Sequence, residues 1–226
     1  MSENLKKLTG KNKNDYETAA RDLVNNADTK LFKELVDSDS FLFDFVKNNV
    51  AQRIANEINE TNYKNLIEFL KYYSPYYEDV IVSSLVKYAD EDLTDLMLER
   101  FENGTVEEKI YAAKYFAKIQ DPLAHEFLKA NAYSDNEYLA QNCASALAQW
   151  NDEEAYHIAV TKLNNGDDFD KLAAVKFLVA YGNKNAIPAI FDTMKNSTMP
   201  ENIAGEIPYL ENLFDLLDKY YENTLL

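Results

Sequence analysis

The chain has 226 residues, 39 acidic and 23 basic, for a formal net charge of −16. Its length suffices for a sizeable core, and a hydrophobic fraction of 46% excludes wholesale disorder, while five glycines and five prolines are too few for the turns of a β-sandwich or barrel, so an all-α protein is expected. The acidic balance and the lack of an arginine cluster weigh against nucleic acid and anionic membranes, leaving a basic partner or simple solubility as the meaning of the charge.

In chain order, residues 1–14 are polar, rich in Lys and Asn, and are expected to form a flexible, frayed N-terminus without a signal-peptide core. Asp15 to Asn25 and Thr29 to Val36 predict an irregular first helix pair within 15–37. Phe41 to Ile58 and Asn62 to Tyr73 predict a second pair. No run of about 18 apolar residues occurs, so no membrane span is expected. A single cysteine, Cys143, gives no intramolecular disulfide, and the cytoplasm is the expected compartment.

From residue 81 onward the chain repeats with a period of 31. Leu85, Phe116, Leu147 and Leu178 form one column, and Tyr88, Ile119, Trp150 and Tyr181 another. Ile81, Ala112, Cys143 and Ala174 fall in line, as do Leu93, Ala124, Ala155 and Ala186, then Leu96, Phe127, Ile158 and Ala189. Asp90, Asp121, Asp152 and Asn183 complete the frame as helix N-caps. Each unit reads as two helices joined at that cap. Thr105 with Glu108, Ser134 with Glu137 and Thr198 with Glu201 have capping-box spacing, and Asn164-Asn165-Gly166 suits a left-handed C-cap. Residues 200–226 depart from the repeat and contain Pro208, so 199–226 is expected to be an irregular cap. The whole of 15–226 is expected to be one α-solenoid domain, with repeats at about 41–196.

The period and the stretch Leu172-Ala173-Ala174-Val175-Lys176-Phe177-Leu178, then Tyr181-Gly182-Asn183 and Ala186-Ile187-Pro188-Ala189-Ile190, carry a family resemblance. These residues resemble HEAT repeats of the short, phycobilin-lyase type. The earlier copies keep the turn aspartate and the alanines but lose the glycine and the internal proline. The resemblance implies a right-handed solenoid of antiparallel helix pairs. It also implies two classes of function, an adaptor that binds proteins or a lyase-like factor holding a tetrapyrrole and its acceptor protein.

Candidate chemistry is sparse. His125 and His157 are expected to be exposed surface residues rather than metal ligands, only Glu154 and His157 having ligand spacing. Cys143 reads as a buried small hydrophobe and Trp150 as core packing. The tyrosine-rich segment Tyr72 to Tyr77 reads as packing at an inter-repeat turn. Asp167-Asp168-Phe169-Asp170 has part of a calcium loop but suits a helix start better. No P-loop, nucleotide fingerprint or recognisable triad occurs, so no catalytic residue, cofactor or metal is assigned and the protein is expected not to be an enzyme.

What remains is a surface. In HEAT-like solenoids the second helices line the concave groove. Stepping by 31 along their outward positions gives Asp95, Glu126, His157 and Pro188, then Glu99, Ala130, Thr161 and Asp192, then Glu102, Tyr133, Asn164 and Lys195. The expected protein-binding residues are Asp95, Glu99, Glu102, Glu126, Tyr133, His157 and Thr161, facing a protein or peptide of basic or mixed charge. A monomeric scaffold without nucleic-acid or membrane partners is the resulting expectation.

Overall fold

The computed structural model describes residues 1–196 and 198; the expected cap at 199–226, with Pro208 and with Glu201 of the expected capping box, lies outside them. All regular structure among the described residues is helical, as the composition predicts. None of these helices is long and apolar enough to cross a membrane. The contacts gather into two compact units, Met1–Ile119 and Gln120–Leu226.

The first unit holds α1 (Glu3–Thr9), α2 (Lys13–Asn25), α3 (Thr29–Asp37), α4 (Asp44–Glu57), α5 (Glu78–Lys87), α6 (Glu91–Asn103) and α7 (Val106–Ile119). Residues 1–14, expected to be frayed, instead contain α1. Ser2 caps it by accepting from the Leu5 amide at 3.2 Å, and Leu5 and Leu8, three residues apart, are both buried. Arg53 of α4 lies over the Tyr16 ring at 3.8 Å and donates to the Leu8 carbonyl, tying α1, α2 and α4 together. Two leucines on one helical face outweigh the polar composition around them.

The segment expected to be a helix at 62–73 is a 3₁₀ turn over Tyr63–Phe69. Tyr63, Leu66 and Phe69 are all buried, and their spacing of three matches the three-residue turn of a 3₁₀ helix. Buried Asn62 binds it to its neighbours: its Nδ2 donates to the Glu57 backbone carbonyl at 2.9 Å and to the Asn25 side-chain Oδ1 at 2.7 Å. Asn65 Nδ2 donates to the Val24 carbonyl at 2.9 Å. These side-chain bonds hold a tighter geometry than an α-helix allows. Likewise α4 starts three residues later than the pattern predicts, leaving Phe41 and Phe43 outside the helix, 84% and 80% exposed.

The second unit holds α8 (Ala124–Asn131), α9 (Glu137–Gln149), α10 (Glu153–Asn165), α11 (Asp168–Tyr181) and α12 (Ile187–Asn196). Within it α9 packs on both α8 and α11, and α10 on both α11 and α12. Five apolar repeat columns can be compared with burial. In one of them Leu96, Phe127 and Ala189 are half-buried and Ile158 is 40% exposed, so this position of the second helix faces outward. Leu85, Phe116, Leu147 and Leu178 are buried, as are Ile81, Ala112, Cys143 and Ala174, and Leu93, Ala124, Ala155 and Ala186. The column Tyr88, Ile119, Trp150 and Tyr181 is only half-buried, so Trp150 lies at the rim rather than in the core. A column that keeps its apolar type can line a rim as well as a core, because an amphipathic ring serves both places.

The turns follow the period too. Gln120, Asn151 and Gly182 occupy the left-handed region with φ of 56°, 55° and 75°, each directly before a side chain that accepts a turn or cap amide. Asp121 Oδ1 accepts from Leu123, Asp152 Oδ1 from Ala155 and Asn183 Oδ1 from Asn185. Ala27, at φ 47°, stands in the same relation to Asp28, which caps α3 through Leu31. The expected capping box at Thr105 and Glu108 forms in both directions. Two expected caps shift: Asn136, not Ser134, caps α9, and Gly166 ends α10 at φ −74° rather than in the left-handed region. Asn136 suits the cap as well as Ser134 does, and Gly166 is followed at once by Asp167, which needs extended backbone to cap α11.

Candidate functional site

The expected binding residues fall into both units. In the first, Asp95, Glu99 and Glu102 stand exposed on α6, whose first turn carries Glu91 and Asp92. Glu91, Asp95 and Glu99 are four apart, so they form one acidic stripe whose like charges repel along the helix.

In the second unit the α8–α9 turn and helices α10 and α11 frame two cavities that share Tyr133 and Phe177 as a wall. These two rings stack at 5.3 Å between centroids and 12° between planes. The smaller cavity, about 320 Å³, has a floor of Ala130, Leu147, Ala155 and Ile158, with Glu126 and Lys129 at its rim. It brings together two of the expected residues, Glu126 and Tyr133. His157 and Thr161 are exposed on α10, on either side of Ile158 in sequence, and neither lines the cavity. The Thr161 hydroxyl donates to the His157 carbonyl at 2.8 Å, so it is engaged within its own helix.

Lys129 organises the rim. Its ammonium lies 2.9 Å from Glu126 and 3.3 Å from Glu154. The hydrogen bond from Lys129 lowers the Glu126 carboxyl below its ordinary value. Burial raises the Tyr133 phenol to about 12. Its Oη is buried without a hydrogen-bond partner among the described residues.

The larger cavity, about 490 Å³, opens at the N-terminal ends of α9 and α11 and the C-terminal part of α10. Lys162 Nζ sits 5.0 Å from the Tyr133 ring centre and 2.9 Å from Asp170, and Lys176 pairs with Glu137 at 2.9 Å. Phe169 lines it while 77% exposed. Asp167 accepts from the Asp170 amide at 2.9 Å, so the acidic run there caps α11, as its helix-start position predicts.

His125 is not the surface residue expected. It is half-buried, its Nε2 meets Asp152 Oδ2, and its ring stacks on Trp150 at 5.8 Å. Its partner lies 27 residues away, a spacing that no motif records. Glu154, the carboxylate spaced as a co-ligand for His157, is engaged by Lys129. Among the described residues no three His, Cys, Asp or Glu side chains converge as metal ligands would. Lys129, Lys162, Phe169 and Phe177 are cavity residues that the repeat columns do not single out, whereas Ile158 belongs to the column of Leu96, Phe127 and Ala189. The one signal available was the apolar Phe169 within an otherwise acidic helix start.

No protein-family model matches the sequence, and no curated protein matches it.

Proposed function

We propose that the chain is a non-catalytic protein-binding adaptor on a HEAT-like, right-handed α-solenoid scaffold. The observation that carries the proposal is the small cavity of the second unit, where an apolar floor meets a charged rim and Ile158 is 40% exposed. An apolar anchor pocket ringed by ion-paired side chains is the usual anatomy of a contact that seats one partner side chain and excludes water around it. The periodic columns and the recurrent left-handed turns at Gln120, Asn151 and Gly182 support a repeat scaffold. On this proposal Glu126 and Tyr133 contact the partner at the cavity, His157 and Thr161 flank it on α10, and the α6 stripe of Asp95, Glu99 and Glu102 offers a separate acidic face.

The test is affinity capture from the source cell, followed by binding of the purified captured protein. Ile158→Glu places a charge at the apolar floor, and Asp95→Lys/Glu99→Lys/Glu126→Lys reverses the exposed charges. A protein that binds wild type saturably and loses at least about tenfold with Ile158→Glu supports the adaptor. A partner indifferent to both variants rules these surfaces out.

A further inference from the structure

The larger cavity of the second unit carries more specific chemistry, resting on the adaptor proposal above. Four carboxylates line it, Asp135, Glu137, Asp167 and Asp170, against two lysines, Lys162 and Lys176. Both lysines are spent internally, on Asp170 and Glu137. Asp135 and Asp167 are exposed and have no cationic partner among the described residues. Beside them Phe169 presents an open aromatic ring. The cavity therefore keeps two carboxylates without a cationic side-chain partner, one of them also capping α11, next to an apolar face.

The chain already seats one cation by this chemistry. Lys162 places its ammonium over the Tyr133 ring while pairing with Asp170. An aromatic face combined with a carboxylate is what a lysine or arginine side chain requires, because its stem packs on the ring and its charge needs an anion. Phe169 with Asp135 and Asp167 offers the same combination unoccupied. Arginine suits it better than lysine, since a guanidinium stacks flat and donates to two carboxylates at once. A polyanion or a second copy of this chain, with its net charge of −16, would meet repulsion there.

We infer that this cavity is a docking site for an arginine-bearing basic peptide segment of a partner protein, with Phe169 packing on the arginine stem and Asp135 and Asp167 binding its guanidinium.

The experiment uses the full chain and fluorescein-labelled octapeptides of alternating arginine and glycine, read by fluorescence polarisation at fixed salt. A peptide with citrulline in place of arginine keeps the shape and removes the charge. Asp135→Asn/Asp167→Asn removes both free charges, and asparagine at 167 preserves the α11 cap. Asp95→Asn/Glu99→Gln removes as many charges from the first unit. The expected result is saturable binding of the arginine peptide, weakened about tenfold by citrulline and by Asp135→Asn/Asp167→Asn. Phe169→Ala should weaken it about threefold, and Asp95→Asn/Glu99→Gln should leave it within about twofold.

Equal losses from the two double variants would overturn the inference, because a diffuse field then explains the binding. Equal affinity for the citrulline peptide would overturn the cation but leave the adaptor standing if binding still falls with Phe169→Ala. Absence of saturable binding also overturns the inference. The adaptor proposal fails separately, when no captured protein responds to Ile158→Glu.

Discussion

His125 Nε2 and Asp152 Oδ2 meet although 27 residues separate them, while the other oxygen of the same carboxylate accepts the Ala155 amide at 3.0 Å. A single side chain thus caps α10 and anchors a residue of α8. The backbone carbonyl of Asp152 also accepts the Tyr181 hydroxyl at 3.0 Å, so three helices converge on this residue. Asp152→Ala should therefore destabilise by about 2–3 kcal/mol, combining a lost cap with a lost charged hydrogen bond. Asp152→Asn retains an oxygen for the cap and should cost less than about 1 kcal/mol. Urea denaturation followed by circular dichroism separates the two, and equal losses would mean that the cap contributes nothing.

The left-handed turns predict opposite effects of glycine and alanine. Ala27 carries a Cβ at φ 47°, a conformation that costs L-residues roughly 1–2 kcal/mol. Ala27→Gly relieves that cost at the expense of chain entropy and should stabilise the first unit by about 0.5–1 kcal/mol. At Gly182, φ 75°, an added Cβ meets no atom within 4 Å, so Gly182→Ala tests backbone strain alone. It should lose about 1 kcal/mol. Thermal melts of the two variants should move in opposite directions.

On α6, Asp95 stands four residues from both Glu91 and Glu99. Asp95→Lys converts two repulsions into two attractions and should stabilise the helix by about 0.5–1 kcal/mol at low salt, with the gain shrinking toward 1 M salt. Any partner binding lost with this variant then reflects the surface and not unfolding. A destabilised Asp95→Lys, measured in urea at both salt concentrations, would show that the carboxylate has a structural partner.

Burial raises the Tyr133 phenol to about 12, against about 10 for a free tyrosine. A raised value favours the protonated form in the folded state, so the contribution is complete below pH 10 and is lost as pH climbs toward 12. Tyr133→Phe should remove one late-titrating tyrosinate from the absorbance at 295 nm and should make stability less steep in pH between about 10 and 12. Loss of the absorbance step near pH 10 instead, with the late step intact, would place Tyr133 among the ordinary phenols.

The fold was most legible where one residue type recurs every 31 positions. The columns through Leu147, Cys143 and Ala155 predict buried helix faces, because burial constrains size and polarity in each copy alike. Legibility fails where local bonds override pattern. Apolar spacing at 62–73 suits an α-helix until Asn62 and Asn65 are seen to bind the ends of α2 and α4, which tightens the segment into a 3₁₀ turn. Polar composition concealed α1, whose stability rests on Leu5 and Leu8 meeting other helices.

The all-helical composition, the period and the acidic residues of α6 can be read from residue spacing, because they are properties of neighbours along the chain or of one repeating face. That Glu126 and Tyr133 share a cavity with Ile158 and Phe177, and that Asp152 receives His125, emerges from helix packing alone. Those partners lie tens of residues apart on different helices, at separations set by how side chains interlock when the helices pack. Helical periodicity specifies which face turns inward; the shape left open between packed faces depends on every side chain that fills them.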